Sequence, residues 1–149
     1  MQIKKFTDFG LRMLMLLAAQ PEGASTTIKD MGRLLNLSPN HLNKVVHDMA
    51  KQGWIVTKRG RSGGFSLACK PKELRVDQLI RSMEADEPWV NCHNPECQLY
   101  PGCHLHQLIA EGKALFYQHL AKFTLADLVK DKSVLASLGK DTILLDSLH

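Results

Sequence analysis

The sequence predicts a mainly α-helical fold carrying one small β-hairpin. Three observations point there: apolar residues recur at helical spacing through most of the chain, a single pair of short β-prone runs flanks a basic glycine-rich tip, and one long apolar stripe follows a cluster of cysteines. With 149 residues, 44% of them hydrophobic, there is room for one compact domain plus an appendage. At this length folding buries roughly two thirds of the unfolded surface, so no covalent staple is needed. The apolar content excludes intrinsic disorder, and 10 Gly with 6 Pro exclude a collagen-like repeat. No run approaches the roughly 18 apolar residues of a membrane span.

The first helix is expected from a cap at Thr7 or Asp8 to about Gln20, ended by Pro21 and Gly23. Phe6, Phe9, Leu11, Met13, Leu14, Leu16 and Leu17 surround most of its cylinder, so it should be covered on several sides, by its own domain and by a partner subunit. Lys4 and Lys5 before an apolar stretch resemble a secretory leader. Asp8 and Arg12 interrupt that stretch, however, and the unbroken run Met13–Ala19 is only seven residues. The expectation is a buried helix in a cytoplasmic protein, where clustered cysteines more often bind metal than pair as disulfides.

Ser25, Thr26 and Thr27 offer the next cap, and Ile28, Met31, Leu34 and Leu35 recur at helical spacing. Ser38-Pro39 restarts the pattern, serine as cap and proline at the first helical position, where its missing N–H costs nothing. Leu42, Val45, Val46 and Met49 then form a narrow apolar stripe, opposed by Asn40, His41, Asn43, Lys44, His47 and Lys51, and Gly53 closes the helix. Two short helices, a tight turn and a second helix with a donor-rich outer face form a helix-turn-helix, whose second helix reads the major groove. Trp54–Thr57 and Phe65–Ala68 flank Lys58-Arg59-Gly60-Arg61-Ser62-Gly63-Gly64, a hairpin whose glycines let its tip lie against a sugar-phosphate backbone. A basic hairpin directly after a helix-turn-helix is the layout of a winged helix. The candidate DNA contacts are Thr27, Ser38, Asn40, His41, Asn43, Lys44, His47, Lys51, Arg59, Arg61 and Ser62.

Charge supports this division. Residues 1–72 hold 12 Lys+Arg against 4 Asp+Glu, a balance of +8, and residues 73–149 hold 7 against 11, a balance of −4. A basic front half joined to an acidic rear half suits a polyanion-binding module carrying something else. The expected division is a winged helix-turn-helix domain over 1–72, a connecting helix and cysteine loop over 73–103, and a dimerisation helix and tail over 104–149.

In the rear half, Val76, Leu79, Ile80 and Met83 mark a short amphipathic helix. Cys92, Cys97 and Cys103 follow in a C-x4-C-x5-C pattern, interrupted by Pro95, Pro101 and Gly102. Cys103 falls where the next helix begins, and a helix N-terminus favours thiolate. Soft thiolates on an open loop suit an iron–sulfur cluster with a fourth ligand from elsewhere. Zinc completed by His93, His104 or His106, and redox thiols without metal, remain alternatives. Cys69 lies apart, as a small buried strand residue. From His104 to about Phe123 runs a long helix striped with Leu105, Leu108, Ile109, Leu115, Phe116, Leu120 and Phe123, with Gly112 on the same side, which suggests a dimer arm; Thr124 caps a short helix beyond it. There is no phosphate-binding glycine motif, no internal repeat and no nucleophile–base pair, so catalysis is not expected.

Taken together these residues resemble the iron–sulfur winged-helix transcriptional repressors, over roughly residues 1–130. Phe6-Thr7-Asp8-Phe9-Gly10-Leu11-Arg12 looks like that family's first helix, Ser38-Pro39-Asn40-His41-Leu42 with Val45 like its recognition helix, and Arg59-Gly60-Arg61-Ser62-Gly63-Gly64-Phe65 like its wing. The cysteine spacing and Phe123-Thr124-Leu125-Ala126-Asp127-Leu128 match the nitric-oxide-sensitive branch; the cluster-assembly branch typically has one more residue in the first gap. The resemblance implies that Cys92, Cys97 and Cys103 hold a 2Fe–2S or 4Fe–4S cluster and that Asp8 of the partner subunit is the fourth ligand. His106, three residues after the last cysteine, falls where the cluster-assembly branch places a histidine ligand and is the alternative. It further implies a homodimer bound to double-stranded operator DNA, with no membrane partner, that nitric oxide releases by attacking the cluster. An iron-status regulator is the rival within the class; a small iron–sulfur redox protein and a secreted disulfide-bonded domain are the rivals outside it.

Overall fold

The computed structural model describes residues 2–61 and 63–131. Helix α1 (Lys5–Ala18) is the central element, packed against its neighbours on several sides and burying Met13, Leu14, Leu16 and Leu17. It begins before the expected cap at Thr7 or Asp8, with Lys4 at the cap position and no side chain capping it. A tertiary acceptor replaces the local one: the Lys4 backbone N–H donates to Glu84 Oε1 (2.9 Å) and its Nζ to the Glu84 carbonyl (3.0 Å). Asp8 therefore lies within the first turn, paired with Arg12 (2.8 Å). Gly10 allows close packing at the middle of the domain, since a β-carbon there would stand 2.5 Å from Met49 Cε and 2.6 Å from Met83 Sδ.

Helices α2 (Ile28–Leu35) and α3 (Pro39–Lys51) form the helix-turn-helix. Thr27 caps α2, accepting from the Asp30 N–H, and Asn36 ends it in the left-handed conformation at φ 53°, which asparagine tolerates better than most residues. Ser38 caps α3 with Pro39 in its first turn. Strands β1 (Ile55–Lys58) and β2 (Gly64–Leu67) pair antiparallel, Ile55 opposite Leu67 and Lys58 opposite Gly64. Phe65 projects into the core from β2 and is 2% exposed. The hairpin is also sewn to the start of the helix-turn-helix: Thr26 and Phe65 exchange two backbone hydrogen bonds of 2.9 and 2.8 Å. Gly64 must be small for this, because a β-carbon would come within 2.6 Å of the Thr26 carbonyl oxygen. Cys69 lies just beyond β2, half-buried, its thiol pushed up by burial and then by Glu73.

A 3₁₀ turn (Pro71–Glu73) leads to α4 (Val76–Glu84), a loop carrying the cysteines, α5 (His104–Leu120) and α6 (Leu125–Leu128). α5 stops at Leu120, short of Phe123, because the chain turns back there to pair with the start of α4: the Val76 N–H reaches the Phe123 carbonyl (3.0 Å) and the Leu125 N–H the Leu74 carbonyl (2.8 Å). Thr124 and Asp127 form a reciprocal cap on α6. Leu125 is thereby carried into the same core as Met13, Leu14 and Leu42. Among the described residues no helix is long and apolar enough to cross a membrane.

Candidate nucleic-acid interface and cysteine loop

The apolar stripe of α3 faces inward, with Leu42, Val45, Val46 and Met49 all buried. Packing that stripe against α1 and α2 forces the opposite face outward, and Asn40, His41, Asn43, Lys44, His47 and Lys51 are all exposed. Ser38, at the tip of this helix, has its hydroxyl against His41, 3.1 Å from Nδ1 and accepting from the backbone N–H at 3.4 Å. Thr27 is half-buried and its oxygen is committed locally, donating to Asp30 Oδ2 (2.7 Å) and accepting from the Asp30 N–H (3.1 Å). Arg59 and Arg61 project from the hairpin tip and are exposed; Ser62 lies outside the described residues. The tip is shaped by Gly60 at φ 121° and by Gly63, whose β-carbon would press within 2.9 Å of two backbone oxygens. The donor-rich face of α3 and the basic hairpin tip are both exposed, and the Thr26–Phe65 bridge ties the hairpin to the start of the helix-turn-helix.

The cysteine loop is built by short-range bonds. Asn91 Oδ1 accepts the N–H groups of His93 (3.0 Å) and Asn94 (3.1 Å), the Cys97 N–H closes onto the Cys92 carbonyl (3.0 Å), and the Tyr100 N–H onto that of Cys97 (3.1 Å). Tyr100 stands edge-on between two imidazoles, His93 at 4.7 Å and His106 at 5.3 Å. Cys92 is 5% exposed, whereas Cys97 and Cys103 are half-buried, and no pair forms a disulfide. Burial pushes the Cys92 thiol up, and negative charge on Cys97 and Cys103 pushes it further. Cys103 is the N-cap residue of α5, at the positive end of a 17-residue helix. Among the described residues, no group of three or more His, Cys, Asp or Glu side chains is arranged to hold a metal ion.

Of the two candidates for a fourth donor, Asp8 is on α1 in its ion pair with Arg12, and His106 is in the first turn of α5 against Tyr100. Sequence patterning missed Tyr100, and it missed the polar contacts that Arg81 and Lys113 make with Asp86 just before the loop. None of these has a local signature, because each acts on a residue distant in the chain or through a ring contact.

The face and the loop together define a winged-helix DNA-binding regulator, and comparison with known proteins narrows the class. Residues 3–131 match the Rrf2 family, described as iron-dependent transcriptional regulators. The chain is 38% identical over 144 residues to the HTH-type transcriptional regulator NsrR of Geobacillus kaustophilus (strain HTA426), covering 95% of this chain and 98% of that protein. It is 36% identical over 141 residues to the regulator of the same name from Shouchella clausii (strain KSM-K16), covering 93% and 95%. Among solved structures it is similar to oxidized Staphylococcus aureus CymR, with TM-score 0.70, 23% identity and coverage of 87% of this chain and 97% of that one. T. potens IscR gives TM-score 0.68 at 21% identity, covering 88% of each chain. These structures establish the fold. The chain belongs to the Rrf2 family of transcriptional regulators, and within it is similar to NsrR.

Proposed function

We propose that the chain is a cytoplasmic, homodimeric repressor that senses nitric oxide through an iron–sulfur cluster. The observation that carries this reading is the placement of Cys92, Cys97 and Cys103 on one short loop running into α5, with Cys92 buried and Cys103 at the helix N-terminus. The donor set fits such a group: the thiolates are soft, one is shielded from water, and one lies at a helix N-terminus. When bound, the cluster would supply iron that reacts with nitric oxide. Cys92, Cys97 and Cys103 would hold it, with Asp8 of the partner subunit completing the set and Arg12 orienting that carboxylate; His106 is the second candidate.

The dimer is supported by α5. Its 17 residues bury only Tyr117 and leave Leu105, Leu108 and Leu115 in water at 62%, 50% and 64% exposure. Gly112 has nothing within 4 Å of where a β-carbon would stand, so the helix backbone is open to close approach. Two such subunits would present two α3 helices to half-sites about one DNA turn apart. Asn40, His41, Asn43, Lys44, His47 and Lys51 would face the major groove, with Ser38 and Thr27 at the helix ends and Arg59, Arg61 and Ser62 on the backbone or minor groove. α1 carries Asp8 and packs through Gly10 on both Met49 of α3 and Met83 of α4, so it touches both the recognition helix and the helix that precedes the cysteine loop. A bound group acts only through its differential stabilisation of the two states, about 5.5 kcal/mol to carry 1:99 to 99:1.

The test is anaerobic purification and reconstitution, counting iron and sulfide, followed by nitric oxide titration of the complex with operator DNA. A coloured, iron-loaded protein that releases DNA stepwise with nitric oxide is expected, and Cys97→Ala should stay folded while losing both iron and operator affinity. A colourless, iron-free product refutes the proposal. Release on iron chelation but not on nitric oxide would favour an iron-status regulator, the reading that the family description supports.

A further inference from the structure

We infer that Lys113, on α5, is the positioning residue of the cysteine loop. The loop leaves α4 through Ala85 and Asp86, two non-glycine residues at φ 64° and 48°. L side chains rarely hold that conformation, and two in succession need support from outside. Lys113 supplies it. Its Nζ donates to the backbone carbonyls of Asp86 (3.1 Å) and Glu87 (3.0 Å) and lies 2.7 Å from Asp86 Oδ1. The lysine side chain is only 15% exposed, so these contacts are partly shielded from solvent.

The same aspartate is held from the other side. Arg81 of α4 donates to both Asp86 oxygens (3.3 and 3.1 Å), and its guanidinium lies 3.8 Å above the ring of Tyr117, the buried residue of α5. Trp89 then meets Phe116 of α5 at 5.7 Å between ring centroids. At its far end the loop becomes α5 itself, at Cys103. Both ends are therefore fixed to one helix, separated by about 15 Å of helical rise between residues 103 and 113. The loop is a strap across α5, and Lys113 is the fastening at the end nearer Cys92. Removing its ammonium would leave two carbonyls and a carboxylate without that donor, and the turn at residues 85–86 without its support. The separation of Cys92 from Cys103 would then no longer be set.

The purpose of the strap rests on the function proposed above; the fastening does not. The test compares the full-length protein with Lys113→Met and Lys113→Arg by two measurements. One is amide hydrogen exchange without metal, and the other is the rate of iron loss to a chelator after reconstitution. Lys113→Met is expected to speed exchange in residues 88–103 by about tenfold while α3 is unchanged, and to speed iron loss by a similar factor; Lys113→Arg should recover much of both. Unchanged exchange in the loop overturns the inference, as does an equal rise in α3, which would mean general destabilisation. Failure of the iron–sulfur reading is distinguishable: every variant, including the parent, would then lack iron while hydrogen exchange still reports on Lys113.

Discussion

The two halves of this chain meet water in different ways. In the winged helix the elements close on one another, and Met13, Leu14, Met31, Leu42 and Met49 are completely buried. α5 is the longest helix described, yet Tyr117 is its only buried side chain. A helix of this length is marginal in isolation and depends on packing of an apolar face. Within one subunit α5 is held by a small second core, where Tyr117 packs with Val76 and Ile80 and Leu120 lies against them, by Trp89 on Phe116 and by the Arg81–Asp86–Lys113 contacts. The front half buries most of its large apolar side chains internally, whereas α5 leaves Leu105, Leu108 and Leu115 exposed. A stable scaffold with a helix left partly unburied is what a protein needs if one region must keep its shape while another responds.

The contrast can be broken most severely from the front. Phe65→Ala should cost about 3–5 kcal/mol in chemical denaturation, since it opens a cavity beneath the hairpin. A loss below about 1 kcal/mol would mean that the hairpin is not part of the core. In the rear half, Leu108→Asp should leave subunit stability within about 0.5 kcal/mol of the parent, as surface changes do. The same substitution should raise the dissociation constant of the proposed dimer by about tenfold or more in sedimentation, because it places a charge where apolar surface would be covered. An unaltered constant would remove α5 from the interface. At the wing, Arg61→Ala should weaken binding to all DNA sequences similarly and reduce the slope of affinity against salt by about one unit. A loss confined to one sequence would instead make Arg61 a base-reading residue.

The smallest effect concerns pH at the return of the chain to the core. The Asp127 carboxyl is lowered from its ordinary 3.8 to about 2 by Lys130, then by the backbone and side-chain hydrogen bonds from Thr124. A carboxylate lowered in the folded state contributes stability that is complete above its unfolded value and is lost as pH falls through the folded one. The cap on α6 should therefore weaken between about pH 4 and pH 2, and Asp127→Asn should remove that part of the acid dependence of Tm. An identical acid profile in the variant would show that the cap contributes nothing to holding Leu125 in place.

Legibility followed the range of the interactions. The caps at Thr27 and Ser38, the stripe of α3, the wing glycines and the position of Cys103 at the head of a helix all depend on neighbours within a few residues, and all could be read from the chain. The start of α1 lies earlier than the cap pattern implies because the N–H of its cap residue Lys4 looks to Glu84, 80 residues away, with no local side chain capping the helix. The end of α5 was misplaced for a similar reason, since Phe123 is taken up by pairing with Val76. The cysteine loop was found by its residue types. The polar contacts that hold it were not, because a lysine ten residues after Cys103 looks like any exposed charge on an amphipathic helix.

By itself, the order of residues settled which segments are helices, which pair forms the wing, which face of α3 is polar and which sulfurs share a loop. Periodicity, caps and turn residues act locally, so their consequences are written where they occur. Only the tertiary structure decided how far each sulfur is from water, that Thr26 joins the hairpin to the helix-turn-helix, that residues 123–125 return to residues 74–76, and that Lys113 fastens the loop. Each of these depends on backbone groups or charges brought together from distant positions, where the need to satisfy buried polar groups and to cover apolar surface selects the partner.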